Sequence, residues 1–380
     1  MSIVVQKYGG TSVNTLDKRA KVIEKIIAAK GKENDVAVVV SAMGRKGEPY
    51  ATDTFLGLLD EVGPNPDPRI KDLITSCGEI ISVSIMAHAL NQKGYKALAM
   101  TGFQAGIRTD KNFNNAQVTG VNPERIKKAF AEGYIVIVAG FQGITEDMEI
   151  TTLGRGGSDT TAIALGGALG ADLVEIYTDV PGVAFTDPRL IPEAPYIRSI
   201  AFDPMCYLAR AGAKVVHSRA VQTAINYNMP FVVRSTFSDE EGTIIGKPGE
   251  SCGGAYGISL LKNVHIIRAN GKNIDNKWKE SVVDEMFYIN GNQECCFAVN
   301  TGKLPEGLEK QACTVSGECD LFTIMWDDRG AITPEKIKTI FDANGIATEG
   351  FFQLPSGGGW AVPSNRSEDA VRAVFRSLYK

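Results

Sequence analysis

The chain reads as an α/β protein: a doubly wound, mostly parallel open sheet, followed by a smaller C-terminal α+β region. Three observations predict this. Apolar runs such as Val36–Val40 and Ile135–Ala139 are uninterrupted, as strands covered on both faces require. Helical patterns alternate with them, which implies right-handed crossovers between parallel strands. After residue 245 the alternation changes to strand-like runs with short helices.

The elements follow in order. Residues 2–6 form a first strand, Lys7–Gly10 a turn, and Thr11 and Ser12 supply candidate caps. Val13, Leu16, Ala20, Ile23 and Ile27 recur at helical spacing, and Gly31 stands where a terminal glycine belongs. Gly44–Asp53 is a polar loop at the carboxyl end of the second strand, where ligands sit in open α/β sheets. Pro64, Pro66 and Pro68 mark a connector before a long helix over 69–90. Gly78 inside that helix costs about 1 kcal/mol relative to alanine, so it marks either a close approach or a break. Further strands are expected over 95–100, 135–139, 173–177 and 231–234, and helices over 123–132, 160–169, 203–211 and 213–227. Residues 246–256, rich in Gly, Ser, Glu and Pro, read as a linker between a 1–245 domain and a 257–380 region. Beyond it, strands near 264–268, 295–299 and 321–326 alternate with helices near 278–285, 334–344 and 367–379.

Composition narrows the function. At 380 residues, two or three domains of ~150 residues fit. The 40 Lys and Arg against 44 Asp and Glu give a net charge of −4, with no bulk attraction to nucleic acid or an anionic membrane. No uninterrupted apolar run reaches the ~18 residues of a membrane span, and no signal-peptide layout opens the chain, so a cytoplasmic location is expected. The seven cysteines contain no C-x-x-C, and the three histidines are dispersed, so no metal cluster is expected.

The stretch Thr152–Thr161, T-L-G-R-G-G-S-D-T-T, organises the rest. Glycines let a backbone approach a ligand, and the free N–H groups of the following helix favour an anion. Arg155 adds a fork-shaped cation suited to a carboxylate or phosphate.

This stretch resembles the substrate loop of aspartate kinases, and Val5–Val13, V-Q-K-Y-G-G-T-S-V, resembles the opening signature of the same family. The tract Val40–Asp53 is similar to the diaminopimelate-pathway enzymes of spore-forming bacteria. The resemblance covers roughly the first two-thirds of the chain. It implies the amino-acid kinase fold and transfer of the γ-phosphoryl of ATP, with Mg2+, to the β-carboxylate of L-aspartate, for lysine, threonine and methionine synthesis. Lys7 then stabilises charge on the transferring group, and Gly9 and Gly10 offer N–H groups to phosphate. Ser41 matches a nucleotide position and Thr52 an aspartate position, although either can instead cap a turn. Glu79 matches the acid that holds the substrate ammonium, and Arg155, Gly156 and Ser158 complete the acceptor pocket. Asp159 either orients the lysines or caps the helix. Thr178, Asp179, Arg189 and Lys214 match nucleotide positions. The C-terminal region resembles two ACT units, either sensing an amino-acid effector or only forming a homodimer.

Two departures stand out. Pro181 and Ala184 replace an acid and an aromatic of the usual pattern, which predicts a weaker nucleotide site. The C-terminal third diverges, leaving feedback control open. The rival readings are a kinase for another acidic substrate and a non-catalytic amino-acid-binding subunit. Lys7, Asp159 and Lys214 speak against the latter.

Overall fold

Val36–Val40 is apolar on both faces, and the structure covers both. In the computed structural model, residues 2–249, 251, 253–270, 287–290, 294–300, 313–327 and 330–379 are described. They divide into two compact units, 1–183 with 215–247, and 184–214 with 248–380.

Unit 1 opens with strand β1 (Ile3–Tyr8), a short helix α1 (Gly10–Val13) and helix α2 (Leu16–Lys30). The sequence pattern joined these helices, but Thr15 caps a new start by accepting from the Lys18 N–H, and this leaves Leu16 exposed. Strand β2 (Asp35–Val40) follows, then α3 (Thr52–Val62) and α4 (Pro68–Gln92). Next come β3 (Ala97–Met100), β4 (Ile107–Thr109), β5 (Val118–Val121), α5 (Glu124–Ala131), β6 (Ile135–Ala139), β7 (Gln142–Ile144), β8 (Ile150–Thr152), α6 (Gly157–Leu169) and β9 (Leu173–Thr178). After β10 (Ser199–Ile200) and α7 (Phe202–Arg210), which belong to unit 2, the chain returns as α8 (Ser218–Tyr227), β11 (Phe231–Ser235) and β12 (Thr243–Ile245).

The main sheet of unit 1 runs β12-β11-β9-β1-β2-β6-β3, parallel except for β12. On one face, Val36, Val38, Val40, Ile135 and Ile137 meet Val22, Ile23 and Ile26 of α2 and Val83, Met86 and Leu90 of α4. Burying a side chain of this size is worth about 1.5–3 kcal/mol, so this layer anchors the unit. Helix α6 packs against β1, β2 and β9, and Thr160–Leu165 along it are all buried. A helix apolar nearly all round has no solvent face to present, and here it has none to spare. A second sheet, β5-β4-β7-β8, carries the hairpin that leads to the glycine-rich stretch.

Helix α4 is continuous through Gly78. It is also long and apolar enough, by length and composition, to cross a membrane, although Lys71, Asp72 and Glu79 interrupt its apolar residues. Half of its most apolar stretch is buried inside the protein.

Unit 2 is β-rich. It adds β13 (Ala255–Asn270), β14 (Phe287–Asn290), β15 (Glu294–Asn300), β16 (Cys313–Trp326), α9 (Pro334–Ala343), β17 (Phe351–Leu354), β18 (Gly357–Val362) and α10 (Ser367–Leu378). Its antiparallel sheet has the order β14-β15-β13-β16-β18-β17. Phe322 of β16, Phe341 of α9 and Trp360 of β18 form an edge-on aromatic cluster on it, with centroids 5.2–6.1 Å apart.

The units do not follow the expected boundary at residue 245. Residues 184–214 join unit 2 because Phe185 stacks obliquely on Phe375 and its carbonyl accepts from the Ile258 N–H. The expected linker shortens too, since β13 already starts at Ala255. The helix expected over 213–227 starts only at Ser218. Gly212 leaves helical geometry with φ +108°, so Lys214 lies in the connecting loop rather than at a helix start. The helix expected near 278–285 lies outside the described residues.

Candidate active site

Strands β1, β2 and β9 are adjacent and parallel, so their carboxyl ends open on the same edge. Lys7 is the penultimate residue of β1 and Asp159 sits in the first turn of α6. The Lys7 Nζ lies 2.6 Å from Asp159 Oδ1, with both side chains 12% exposed. Few water molecules reach such a pair, so its attraction is screened much less than that of a surface pair. Asp159 therefore engages the lysine; the N-cap of α6 is Gly156, with no side-chain cap. Gly156 holds φ +74°, and its α-carbon faces the His217 ring so closely that a Cβ would collide with it.

Two more contacts gather the site. Ser41, just past β2, donates from Oγ to Ser158 Oγ at 2.9 Å. The next residue, Ala42, donates its N–H to Glu79 Oε1 of α4, also at 2.9 Å. Glu79 is buried and its Oε2 has no hydrogen-bond partner. Burial lifts the Glu79 carboxyl to about 8, against the opposing pull of the Ala42 N–H. An orphaned carboxylate oxygen in such a place is suited to a cationic ligand group. The loop holding Ala42 is wedged between two glycines. A Cβ at Gly78 would lie 2.7 Å from that of Ala42, and one at Gly10 would collide with the Ala42 carbonyl.

The remaining expected residues are placed less uniformly. Gly9 lies beside the Lys7 ammonium, 3.6 Å from Nζ to its would-be Cβ. Thr52 is the first residue of α3, and Ala51 rather than Thr52 is the cap. Arg155 is exposed on the glycine-rich loop. At the end of β9, Thr178 Oγ1 donates to Asp179 Oδ1 at 3.2 Å, and Asp179 pairs with Arg45 at 3.3 Å. Arg189 and Lys214 belong to unit 2 and are exposed there, and Arg189 is paired with Asp187.

Residues without a sequence signal also shape the site. Glu48 closes the basic loop by accepting from the Arg45 N–H at 2.7 Å and from Asn14 Nδ2 at 3.0 Å. Asp72, fully buried on α4, accepts from the N–H of Asn114 and from the N–H and Oγ1 of Thr152. Burial still raises its carboxyl above the usual range. Arg219 of α8 donates to the Leu153 carbonyl and to Asn115 Oδ1.

The arrangement is a row of strand ends carrying a nearly buried cation, backbone N–H groups, a helix N-terminus and a carboxylate with a free oxygen. Such a row can hold a polyanion and an ammonium-bearing partner side by side.

Comparison with known proteins agrees with this architecture. A family model described as the amino acid kinase family matches residues 2–235. The aspartokinase of Geobacillus stearothermophilus is 48% identical over 245 residues, covering 64% of this chain and 59% of that protein. The match thus spans about three-fifths of that relative's length. Among solved structures, E. coli aspartokinase III in complex with aspartate and ADP (R-state) superposes with a TM-score of 0.78 at 22% identity, covering 100% of both chains. The same enzyme in complex with lysine and aspartate (T-state) gives 0.70 at 22% identity, again with 100% of both covered. At that identity the likeness speaks for the fold. The family match ends at Ser235, the last residue of β11, so what is shared is the parallel sheet with its glycine-rich site, and the chain belongs to the amino acid kinase family.

Proposed function

We propose that the chain is an aspartate kinase that transfers the γ-phosphoryl group of ATP to the β-carboxylate of L-aspartate, giving 4-phospho-L-aspartate and ADP. The observation that carries this reading is the Lys7–Asp159 pair, a nearly buried cation held 2.6 Å from its partner where β1 ends and α6 begins. The aspartokinase relatives, and the aspartate and ADP bound in the E. coli enzyme, support the choice of substrates.

The acceptor needs no general base, because a free carboxylate with pKa near ~4 is already ionised at neutral pH. One of its oxygens forms a bond to the γ-phosphorus while the bond to the β,γ-bridging oxygen breaks, and ADP departs with that electron pair. The protein's task is positioning and charge stabilisation. Lys7 leaves Asp159 in part to meet charge on the transferring group, and Asp159 keeps the ammonium aimed. Gly9 and Gly10 turn N–H groups to phosphate, Ser41 lies on the nucleotide side, and Thr178 and Asp179 flank it. Arg189 and Lys214 are assigned to nucleotide positions by the sequence resemblance alone. Glu79 receives the α-ammonium on its open oxygen, Arg155 pairs with the α-carboxylate, and Thr52, Gly156 and Ser158 line the acceptor side.

Among the described residues no group of three or more His, Cys, Asp or Glu is placed to hold a metal ion. Mg2+ enters this reading as part of the MgATP substrate, carried by its phosphates. The E. coli enzyme in complex with lysine and aspartate supports an amino-acid effector, and the ACT resemblance is what assigns it to the C-terminal unit. The homodimer implied by the resemblance belongs to the same proposal.

Incubation with MgATP, hydroxylamine and L-aspartate, glutamate or N-acetylglutamate tests the reading. Hydroxamate from aspartate alone supports it. Hydroxamate from another acid keeps the mechanism and changes the substrate, and none from a folded sample favours an amino-acid-binding subunit.

A further inference from the structure

The root of the glycine-rich loop is clamped at successive backbone groups. Thr152 offers its N–H to Asp72 and its carbonyl accepts from the Ala116 N–H. The Leu153 N–H reaches the Phe141 carbonyl. The Leu153 carbonyl, the last group before Gly154, is taken by the Arg219 guanidinium through Nη1. Through Nη2 the same guanidinium donates to Asn115 Oδ1 at 2.6 Å. That oxygen lies 2.8 Å from where a Cβ on Gly154 would stand, and Gly154 holds φ +69°. Two residues earlier on the same chain, His217 backs Gly156. The first turn of α8 therefore forms a rear wall for residues 153–156, and Arg219 is its charged, two-armed member.

We propose that Arg219 is a positioning residue: by bridging the Leu153 carbonyl and Asn115 it fixes the Gly154–Ser158 loop, and with it Arg155, in the pose that receives the acceptor's carboxylate. The inference rests on reading that loop as the acceptor side of the site. A planar fork suits the task because it serves two acceptors with one rigid group, which an ammonium on a flexible stem does not. Arg155 itself is exposed, so the direction of its side chain depends on how firmly the backbone beneath it is held.

The test has two arms. In ligand-free protein, hydrogen–deuterium exchange is compared for wild type, Arg219→Ala, Arg219→Lys and Asn115→Asp. Arg219→Ala should speed exchange of the amides of 154–158 by about tenfold or more while β1, β2 and β6 keep their protection. Arg219→Lys should fall between the two. Asn115→Asp keeps an acceptor for the fork and should stay near wild type. This arm stands whether or not the chain is a kinase. In turnover, Arg219→Ala should raise KM for the acceptor acid about 10–100-fold with KM for ATP unchanged, the signature also expected of Arg155→Ala. Methylguanidinium added at millimolar concentration should lower that KM again.

Unchanged exchange at 154–158, or exchange raised equally across the sheet, overturns the positioning role. Raised exchange with an unchanged acceptor KM in an active enzyme overturns the link to the acceptor. Raised exchange in a protein that phosphorylates no acid leaves the brace standing and removes the kinase reading instead.

Discussion

The Glu79 carboxyl accepts the Ala42 N–H at 2.9 Å through Oε1 and keeps Oε2 unpartnered in a buried position. Its ionisation is displaced upward by burial, to about 8 from the ordinary 4.5 of a glutamate. A carboxyl raised in the folded state binds its proton more tightly there than in the unfolded chain. Stability from this group is therefore full below about 4.5, declines as pH rises, and is lost above about 8. Glu79→Gln should flatten that decline, with a gain of a few kcal/mol at pH 9 in denaturant melts compared with pH 5. A cation arriving at Oε2 ionises the group, so acceptor KM should fall as pH rises toward 8 in wild type. In Glu79→Gln it should be higher and insensitive to pH. An equal pH profile in both proteins would remove Glu79 from acceptor binding.

Lys7 and Asp159 neutralise each other where little water reaches them. Lys7→Ala strands a buried carboxylate and should lower the melting temperature as well as kcat, the latter by about 100-fold or more. Combining Lys7→Met with Asp159→Asn removes both charges. Calorimetry on the double variant should show most of the lost stability restored, while the hydroxamate assay stays at the Lys7→Ala level. Recovery of turnover together with stability would mean that the lysine serves the fold alone.

Gly78 is the point where α4 touches the Ala42 loop. An alanine there gains about 1 kcal/mol of helix propensity. Its Cβ would meet the Ala42 Cβ at 2.7 Å, and overpacking of this kind typically costs about 1–3 kcal/mol. Because Ala42 is also confined on the Gly10 side, the loop cannot retreat freely. Gly78→Ala should be net destabilising and should raise acceptor KM through a displaced Ala42–Glu79 hydrogen bond. A variant more stable than wild type with unchanged kinetics would show that the loop yields.

Ala184 stands where the aspartate kinase pattern has an aromatic. In unit 2 it forms an isolated bridge with Tyr196 and is only partly buried, so a larger side chain has room to project. Ala184→Tyr should tighten ATP binding severalfold, since stacking on a base is worth about 1–3 kcal/mol. Equal affinities by calorimetric titration would refute the expectation of a weak nucleotide site.

Much of unit 1 was legible because its strands are short, buried and separated by periodic helices. Val36–Val40 and Ile135–Ala139 admit few other readings. Gly78 announced a close approach, although not its partner. What stayed hidden depends on backbone groups and on distant pairings. The Ala42 N–H carries no side-chain signature, and Arg219 lies 66 residues from the carbonyl it braces. Helix α3 carries no clear sequence signal, because none of its residues is buried enough to impose an apolar stripe. Ala213, Val215 and Val216 carry the apolar pattern of α8 back toward Gly212, ahead of its start at Ser218. Local pattern also could not tell that Phe185 and Leu208 belong with strands more than 40 residues later.

That last feature bears on synthesis. Residues 184–214 leave the ribosome before β13 and β16, the strands of unit 2 on which α7 packs. Until those strands arrive, Phe185, Met205 and Leu208, all buried in the finished protein, have no permanent cover. Both units are therefore discontinuous in sequence, and a chain stopped after residue 247 would carry 31 residues that belong to an unfinished unit 2. A nascent chain in that state is a client for chaperones and a target for proteases, whatever the stability of the parallel sheet beside it.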